Sequence, residues 1–296
     1  MYYSPLRYPG GKGKLAPLIG SLIYQYGHVG GTYIEPFAGG AAVALELLEK
    51  HVVSEIVIND LDKGIYSFWR AILEDTERFI SKIYDTPISI EEWNSQKRIL
   101  YSHNNKYSFE LGFATFYLNR ANRSGIIKGG VIGGINQSGE WKMDARFNKD
   151  SLIKRIESIA KKKTKIHVYN KDIKSFIERY VPKYEDNAFI YFDPPYFKKG
   201  KQLYLNYFEF NDHLRIERLI KEHVKCDWII TYDDETEIER IYKDYCIYRF
   251  ELNYSVSKKR RANELLISPK SIADPYNLLK KVGPIENDDS CNTIVV

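Results

Sequence analysis

The stretch Ala188-Phe189-Ile190-Tyr191-Phe192-Asp193-Pro194-Pro195-Tyr196 decides how this chain is read. Five consecutive apolar or aromatic residues predict a strand buried on both faces, as in the middle of a parallel sheet. The aspartate and two prolines end it, because proline offers no N–H to a ladder and biases its predecessor away from helix. Asp193 is thereby held at the carboxyl end of a central strand, where open α/β sheets bind their ligands. Tyr196 follows with a flat ring and a polar tip. Taken alone, the tetrapeptide is equally a strand that ends in a proline turn with Asp193 as a cap, so its neighbours must decide.

Upstream, Thr32–Leu45 begins as a short strand, bends through Gly39 and Gly40, and continues as a helix over Ala41–Lys50 rich in alanine and leucine. Strand, glycine turn and helix open a doubly wound sheet, and the glycines let a ligand approach the backbone. The pattern is not Gly-x-Gly-x-x-Gly, which disfavours a dinucleotide. Glu55–Asp60 is a second apolar strand ending in an acid, suited to a ribose. Lys165–Asp172 predicts a strand returning to the sheet, with Asp172 at its end, and Asp227–Tyr232 another buried strand. Asn211 is expected to cap a helix with Ile216, Leu219, Ile220 and Val224 on one face. Near the start, Arg7–Lys14 resembles a phosphate loop but fails its spacing: Tyr8 stands where the first glycine should be and Leu15 where Ser or Thr should. It remains a tight turn with an aromatic ring on one side and a lysine on the other.

Composition sets the class. With 44% hydrophobic and 28% charged residues, the 296-residue chain can form a full core. No apolar run reaches the ~20 residues that cross a bilayer, and the first residues have no basic-then-apolar signal pattern. Cys226, Cys246 and Cys291 lie far apart, which excludes a cysteine-based zinc site or disulfide framework and fits a reducing cytoplasm. Charge is uneven. Residues 63–165 hold 19 Lys or Arg against 11 Asp or Glu, and the remainder 25 against 28. A basic middle segment suggests a face for a polyanion. Within it, 64–84, 90–102, Phe109–Asn119 and Leu152–Lys163 read as helices. Between the last two, Asn119, Arg120, Asn122, Arg123, Ser124, Lys128 and Lys142 lie on or beside a glycine-bounded hairpin of a size to enter a groove. Tyr248–Tyr254 and Glu264–Ser268 read as strands joined by a tip carrying Lys258, Lys259, Arg260 and Arg261. The final 20 or so residues lack periodicity.

Over nearly its whole length the chain resembles the Dam-like (D12 class, α-group) DNA adenine-N6 methyltransferases. Tyr8-Pro9-Gly10-Gly11-Lys12 is similar to their first cofactor motif, Glu35-Pro36-Phe37-Ala38-Gly39-Gly40 to their glycine motif, Asn59-Asp60 to their ribose acid, and Asp193-Pro194-Pro195-Tyr196 to their catalytic tetrapeptide. The resemblance implies a Rossmann-like α/β sheet over 1–62 and 164–275, a helical target-recognition insertion over 63–163, and a tail over 276–296. It implies S-adenosyl-L-methionine held by Tyr8, Gly10, Lys12, Glu35, Pro36, Phe37, Gly39, Gly40, Asp60, Asp172 and Asp193, with Lys12 facing its carboxylate. Asp193, Pro194, Pro195 and Tyr196 would act on an adenine flipped from double-stranded DNA, Tyr196 stacking on the base. No metal and no membrane are implied; a cytoplasmic, nucleoid-associated protein of bacterial or phage origin is expected, with room for a cognate restriction endonuclease. An RNA adenine methyltransferase and a non-catalytic DNA-binding protein on the same fold are the alternatives. Ala41 departs from the family, which has a second glycine there. Arg123 and Lys128 differ from the aromatic and arginine of GATC-reading relatives, so the resemblance does not carry over a target sequence.

Overall fold

The computed structural model describes residues 3–7, 12–102, 106–197, 208–256 and 258–280, with backbone alone for 252–256, 258–262, 276 and 280. Seven strands form one sheet: β1 (Thr32–Glu35), β2 (Glu55–Asn59), β3 (Ile166–Tyr169), β4 (Ala188–Phe192), β5 (Asp227–Asp233), β6 (Cys246–Val256) and β7 (Lys258–Ser268). Their order is β3-β2-β1-β4-β5-β7-β6. The first five run parallel, and β7 enters antiparallel between β5 and β6. Strand order reverses between β1 and β4, the position at whose carboxyl side open α/β sheets bind their ligands.

The quoted stretch lies at the centre. All five residues of β4 are buried. Alternate side chains feed two cores, as the two-residue period of a strand requires. Tyr33, Ile56, Ile58, Phe189, Tyr191, Ile229 and Leu266 face one, while Ile34, Val57, Ile190, Phe192, Ile230 and Leu265 face the other. On the first face pack α1 (Ala16–Gln25) and α2 (Ala42–Glu49). The second face is covered by α8 (Ile173–Arg179), α9 (Phe210–His223) and α10 (Thr236–Ile241).

Between β2 and β3 the insertion supplies α3 (Lys63–Glu74), α4 (Thr76–Asp85), α5 (Ile90–Ser102), α6 (Phe109–Ala121) and α7 (Lys149–Ala160). Phe68, Phe79, Phe113, Phe116, Tyr117 and Phe147 pack ring against ring within it. These residues join the same apolar cluster as α1, α2 and the first sheet face. At Gly112 a Cβ would lie 2.4 Å from the Ser67 carbonyl oxygen, so α6 crosses α3 in backbone contact. Among the described residues no helix is long and apolar enough to cross a membrane.

Several boundaries differ from expectation. The helix expected over 64–84 breaks at Asp75, whose backbone leaves the helical region (φ −135°, ψ 49°). Helix α9 is capped by Glu209, not Asn211: the Asp212 carboxylate accepts the Glu209 N–H, the reciprocal half of a capping box. Strands β6 and β7 are longer than expected, so Lys258–Arg261 belong to strand β7 itself rather than to a tip between strands. At the start of the expected tail, α11 (Pro275–Lys280) buries Leu278 and Leu279.

One buried acid ends β1. Glu35 is 6% exposed, and its Oε1 accepts the Tyr33 hydroxyl at 2.9 Å. Burial, the largest cause, raises its pKa to about 8. The folded protein therefore keeps a proton that the unfolded chain releases above 4.5, and stability falls as pH rises from there to about 8. Glu35→Gln, which retains the acceptor for Tyr33, is expected to raise the melting temperature by several degrees at pH 8. The gain should vanish near pH 4.5, and thermal denaturation across that range checks it.

Candidate active site

The carboxyl ends of three parallel strands and the antiparallel strand beside them send polar side chains to one face. Tyr33 and Glu35 on β1, Tyr191 and then Asp193 on β4, Thr231 and Asp233 on β5, and Glu264 on β7 are spaced by two, so each pair shares a side of its strand. Lys12 reaches them from the 3-10 turn Lys12–Leu15 that leads into α1. Its ammonium pairs with Glu264 and lies 3.8 Å from Asp193. It also sits 5.0 Å from the centre of the Tyr196 ring, and the Tyr196 hydroxyl donates to Glu264 Oε1 at 2.7 Å. Breaking such a buried pair typically costs about 3–5 kcal/mol, so these residues fix one another.

Asp193 is the open member of the group. Its side chain is 29% exposed, against 4% for Lys12 and 1% for Glu264. Thr231 donates to Asp193 Oδ1 at 3.3 Å and shares a 2.8 Å hydrogen bond with the Tyr191 hydroxyl. Burial raises the Asp193 carboxyl to about 6 against the pull of Lys12, with Glu264 adding to the rise. The turn after the tetrapeptide is held by Asp233, which accepts the Phe197 N–H at 2.9 Å.

Beside this group lies the glycine turn after β1. Asn59 donates to the Pro36 carbonyl, and its own carbonyl accepts the Ala38 N–H. The Trp69 indole donates to the Gly39 carbonyl. Asp60 Oδ2 accepts the Gly39 N–H at 2.8 Å while Oδ1 accepts the Asp62 N–H. Gly39 and Ala41 are both left-handed, each with φ 46°. At Ala41 that conformation costs about 1–2 kcal/mol, which explains why glycine suits the position. The half-buried Asp60 carboxylate, fixed by two backbone donors and raised to about 7 chiefly by burial, fits a ribose diol with its remaining lone pairs. A cradle of this kind suits a nucleoside-bearing cofactor.

The other expected site residues fall into three groups. Tyr8 and Gly10 lie outside the described residues, as do the side chains of Lys258, Lys259, Arg260 and Arg261. Gly40 is buried beside Gly39, and Phe37 meets Phe208 edge-on at 6.1 Å. Asp172 caps α8 through the Ser175 N–H and is exposed. Lys12, expected to face a cofactor carboxylate, pairs with Glu264. Tyr196, expected to stack on a base, is turned inward and 6% exposed.

In the insertion, Arg123, Lys128 and Lys142 are exposed and Ser124 half-buried. The corresponding expectation for Asn119, Arg120 and Asn122 needs correction, because their polar groups are used inside the protein. Asn119 bonds both the N–H and the carbonyl of Arg7, and also Gly125. Asn122 donates to the Ile126 and Ile127 carbonyls and accepts the Trp93 indole N–H. Arg120 is 9% exposed and donates to the Arg146 carbonyl. Burial and the nearby Arg7, Arg155 and Arg146 lower it to about 9, which marks a concentration of positive charge. The expected hairpin is a loop closed by a single bridge, Asn122 to Val131.

Sequence reasoning missed Glu264 and Thr231 at the site, and Tyr101 on the insertion. Tyr101 is 58% exposed, with Lys97 and Lys128 each 5.9 Å from its ring centre. For Glu264 the signal was present: a lone acid directly before the apolar Leu265-Leu266-Ile267 of a strand.

Known proteins are similar to this chain in sequence. The Type II methyltransferase M.MjaIII of Methanocaldococcus jannaschii is 26% identical over 212 residues, covering 66% of this chain and 69% of that protein. The Type II methyltransferase M1.LlaDCHI of Lactococcus lactis subsp. cremoris is 24% identical over 267 residues, covering 83% and 86%. Among solved structures, the tRNA methyltransferase TrmK of B. subtilis is similar at a TM-score of 0.38 and 10% identity, covering 90% of this chain and 73% of that one. The family described as D12 class N6 adenine-specific DNA methyltransferase matches residues 8–256. With a seven-stranded, mostly parallel sheet, a glycine turn tied to Asp60, and an Asp-Pro-Pro-Tyr at the central strand's exit, the chain belongs to the D12 class N6 adenine-specific DNA methyltransferases, which take their methyl group from S-adenosyl-L-methionine.

Proposed function

We propose that Asp193 and the Pro194 carbonyl each accept one hydrogen of the N6 amine of an adenine extruded from duplex DNA. That amine is a poor nucleophile because its lone pair is delocalised into the ring. Two fixed acceptors draw the nitrogen toward tetrahedral geometry and free the lone pair. S-adenosyl-L-methionine, when bound, supplies the electrophilic sulfonium methyl. Asp60 and the Pro36–Gly40 turn would hold the donor; N6 gains the methyl as the methyl–sulfur bond breaks, its electron pair stays on sulfur as a thioether, and the amine passes one proton to Asp193 or to water. Positioning and electrostatics carry the rate, with no covalent enzyme intermediate. The observation that carries this reading is the Asp193 carboxylate, gripped by Thr231 and yet 29% open at the carboxyl end of the central strand, beside the glycine turn.

Residues 63–163 serve in this reading as the target-recognition part. Exposed Arg123, Lys128 and Lys142 and the Lys97-Tyr101-Lys128 cluster supply charge and a stacking surface. Extruding the base costs a few kcal/mol, which such contacts offset. The names of the two curated relatives, both Type II methyltransferases, support a role beside a cognate restriction endonuclease.

Two measurements test the assignment. Asp193→Ala is expected to lower methyl transfer to duplex DNA by about a thousandfold or more while calorimetry still detects cofactor binding; retained turnover contradicts it. In the unsubstituted protein kcat/KM is expected to fall about tenfold per pH unit below about 6, because a protonated Asp193 presents a donor where an acceptor is needed. A flat profile down to pH 5 contradicts it.

A further inference from the structure

We propose that Glu264 is a positioning residue of methyl transfer: by holding Lys12 it keeps that ammonium from closing on Asp193, so the Asp193 carboxylate stays free for the adenine amine. The inference rests on the reading of Asp193 given above. Lys12 has two carboxylates within reach and bonds one of them. Glu264 takes the ammonium on Oε2 and the Tyr196 hydroxyl on Oε1, and so fixes the two groups that flank Asp193.

A carboxylate that is 1% exposed is an expensive choice in a strand whose next three residues are Leu265, Leu266 and Ile267. An apolar residue there would complete the core. It would also remove the carboxylate that holds the Lys12 ammonium 3.8 Å from Asp193, and a carboxylate drawn into a tight ion pair has its lone pairs committed. In register, Asp233 stands opposite Glu264, and it is committed to the Phe197 N–H.

Among the described residues, the groups that bond or act electrostatically with Asp193 are Lys12, Glu264, Thr231, Tyr196, Tyr191, Glu35, Tyr33 and Tyr232. Glu35 holds its proton to about 8, and burial raises all four tyrosines. Through the acid limb of activity, Lys12 and Glu264 are therefore the charges within this set that act on Asp193. They act in opposite directions, Lys12 the more strongly.

The test is the pH dependence of kcat/KM and the separate kcat and KM values of the full chain on duplex DNA. Glu264→Gln keeps the shape and removes the charge. It is expected to lower kcat about tenfold or more, to leave KM for DNA and for the cofactor within about threefold, and to move the acid limb below its position near 6. The double variant Lys12→Met with Glu264→Gln buries no unpaired charge and serves if the single variant does not fold. Its limb is expected above that of the unsubstituted protein, because the stronger of the two opposing influences is gone. A limb that stays in place in either variant, or a loss confined to KM, overturns the proposal. If Asp193→Ala retains turnover, the reading of Asp193 itself fails. If Asp193→Ala is inactive and the limb of the Glu264 variants is unmoved, only the role of Glu264 fails.

Discussion

An ammonium buried between carboxylates from two strands organises the functional end of this sheet. Lys12 arrives from the segment before the first helix, Asp193 from the exit of the central strand, and Glu264 from a strand that enters in the opposite direction. None of these charges is tolerable alone at such burial, so each depends on the others being in register. That requirement ties the start of the chain, its centre and its last strands to one geometry. It also leaves Asp193 the most open of the three, fixed in direction and still able to meet a ligand.

A second tie links the cofactor turn to the insertion. Asp60 binds the Gly39 N–H on one side and the Asp62 N–H on the other, and Asp62 caps α3 through the N–H groups of Gly64 and Ile65. Trp69 on that same helix donates back to Gly39. Farther along, Asn119 bonds Arg7, five residues before Lys12, and a Cβ at Gly125 would lie 2.4 Å from the Arg7 carbonyl oxygen. The helical insertion thus braces both the glycine turn after β1 and the backbone at Arg7. Insertion and sheet share a frame rather than a flexible tether.

Most of the fold was legible because its strands are short apolar runs that end in an acid or in proline, and burial on both faces leaves no other reading for Ala188–Phe192. Asp60 and Asp193 could be found as the first acids past such runs. The partners of Asp193 were harder to see, because a strand's register decides whether Glu264 meets Lys12, and β7 joins the sheet from the end of the chain. Asn119, Arg120 and Asn122 misled for a related reason. Amide and guanidinium groups that suit base edges suit buried backbone carbonyls equally well, and only the packing of these three residues against 5–7, 125–127 and Arg146 tells them apart. Tyr196 shows the same ambiguity: its ring is as good a lid for Lys12 as it is a platform for a base.

The most direct test of the account is a structure of the complex with duplex DNA and a cofactor analogue that cannot transfer its methyl group. The account predicts the target adenine outside the helix, with N6 about 2.7–3.2 Å from both an Asp193 carboxylate oxygen and the Pro194 carbonyl oxygen. An extruded adenine whose N6 lies beyond hydrogen-bond reach of Asp193, with that carboxylate closed on Lys12, would contradict it.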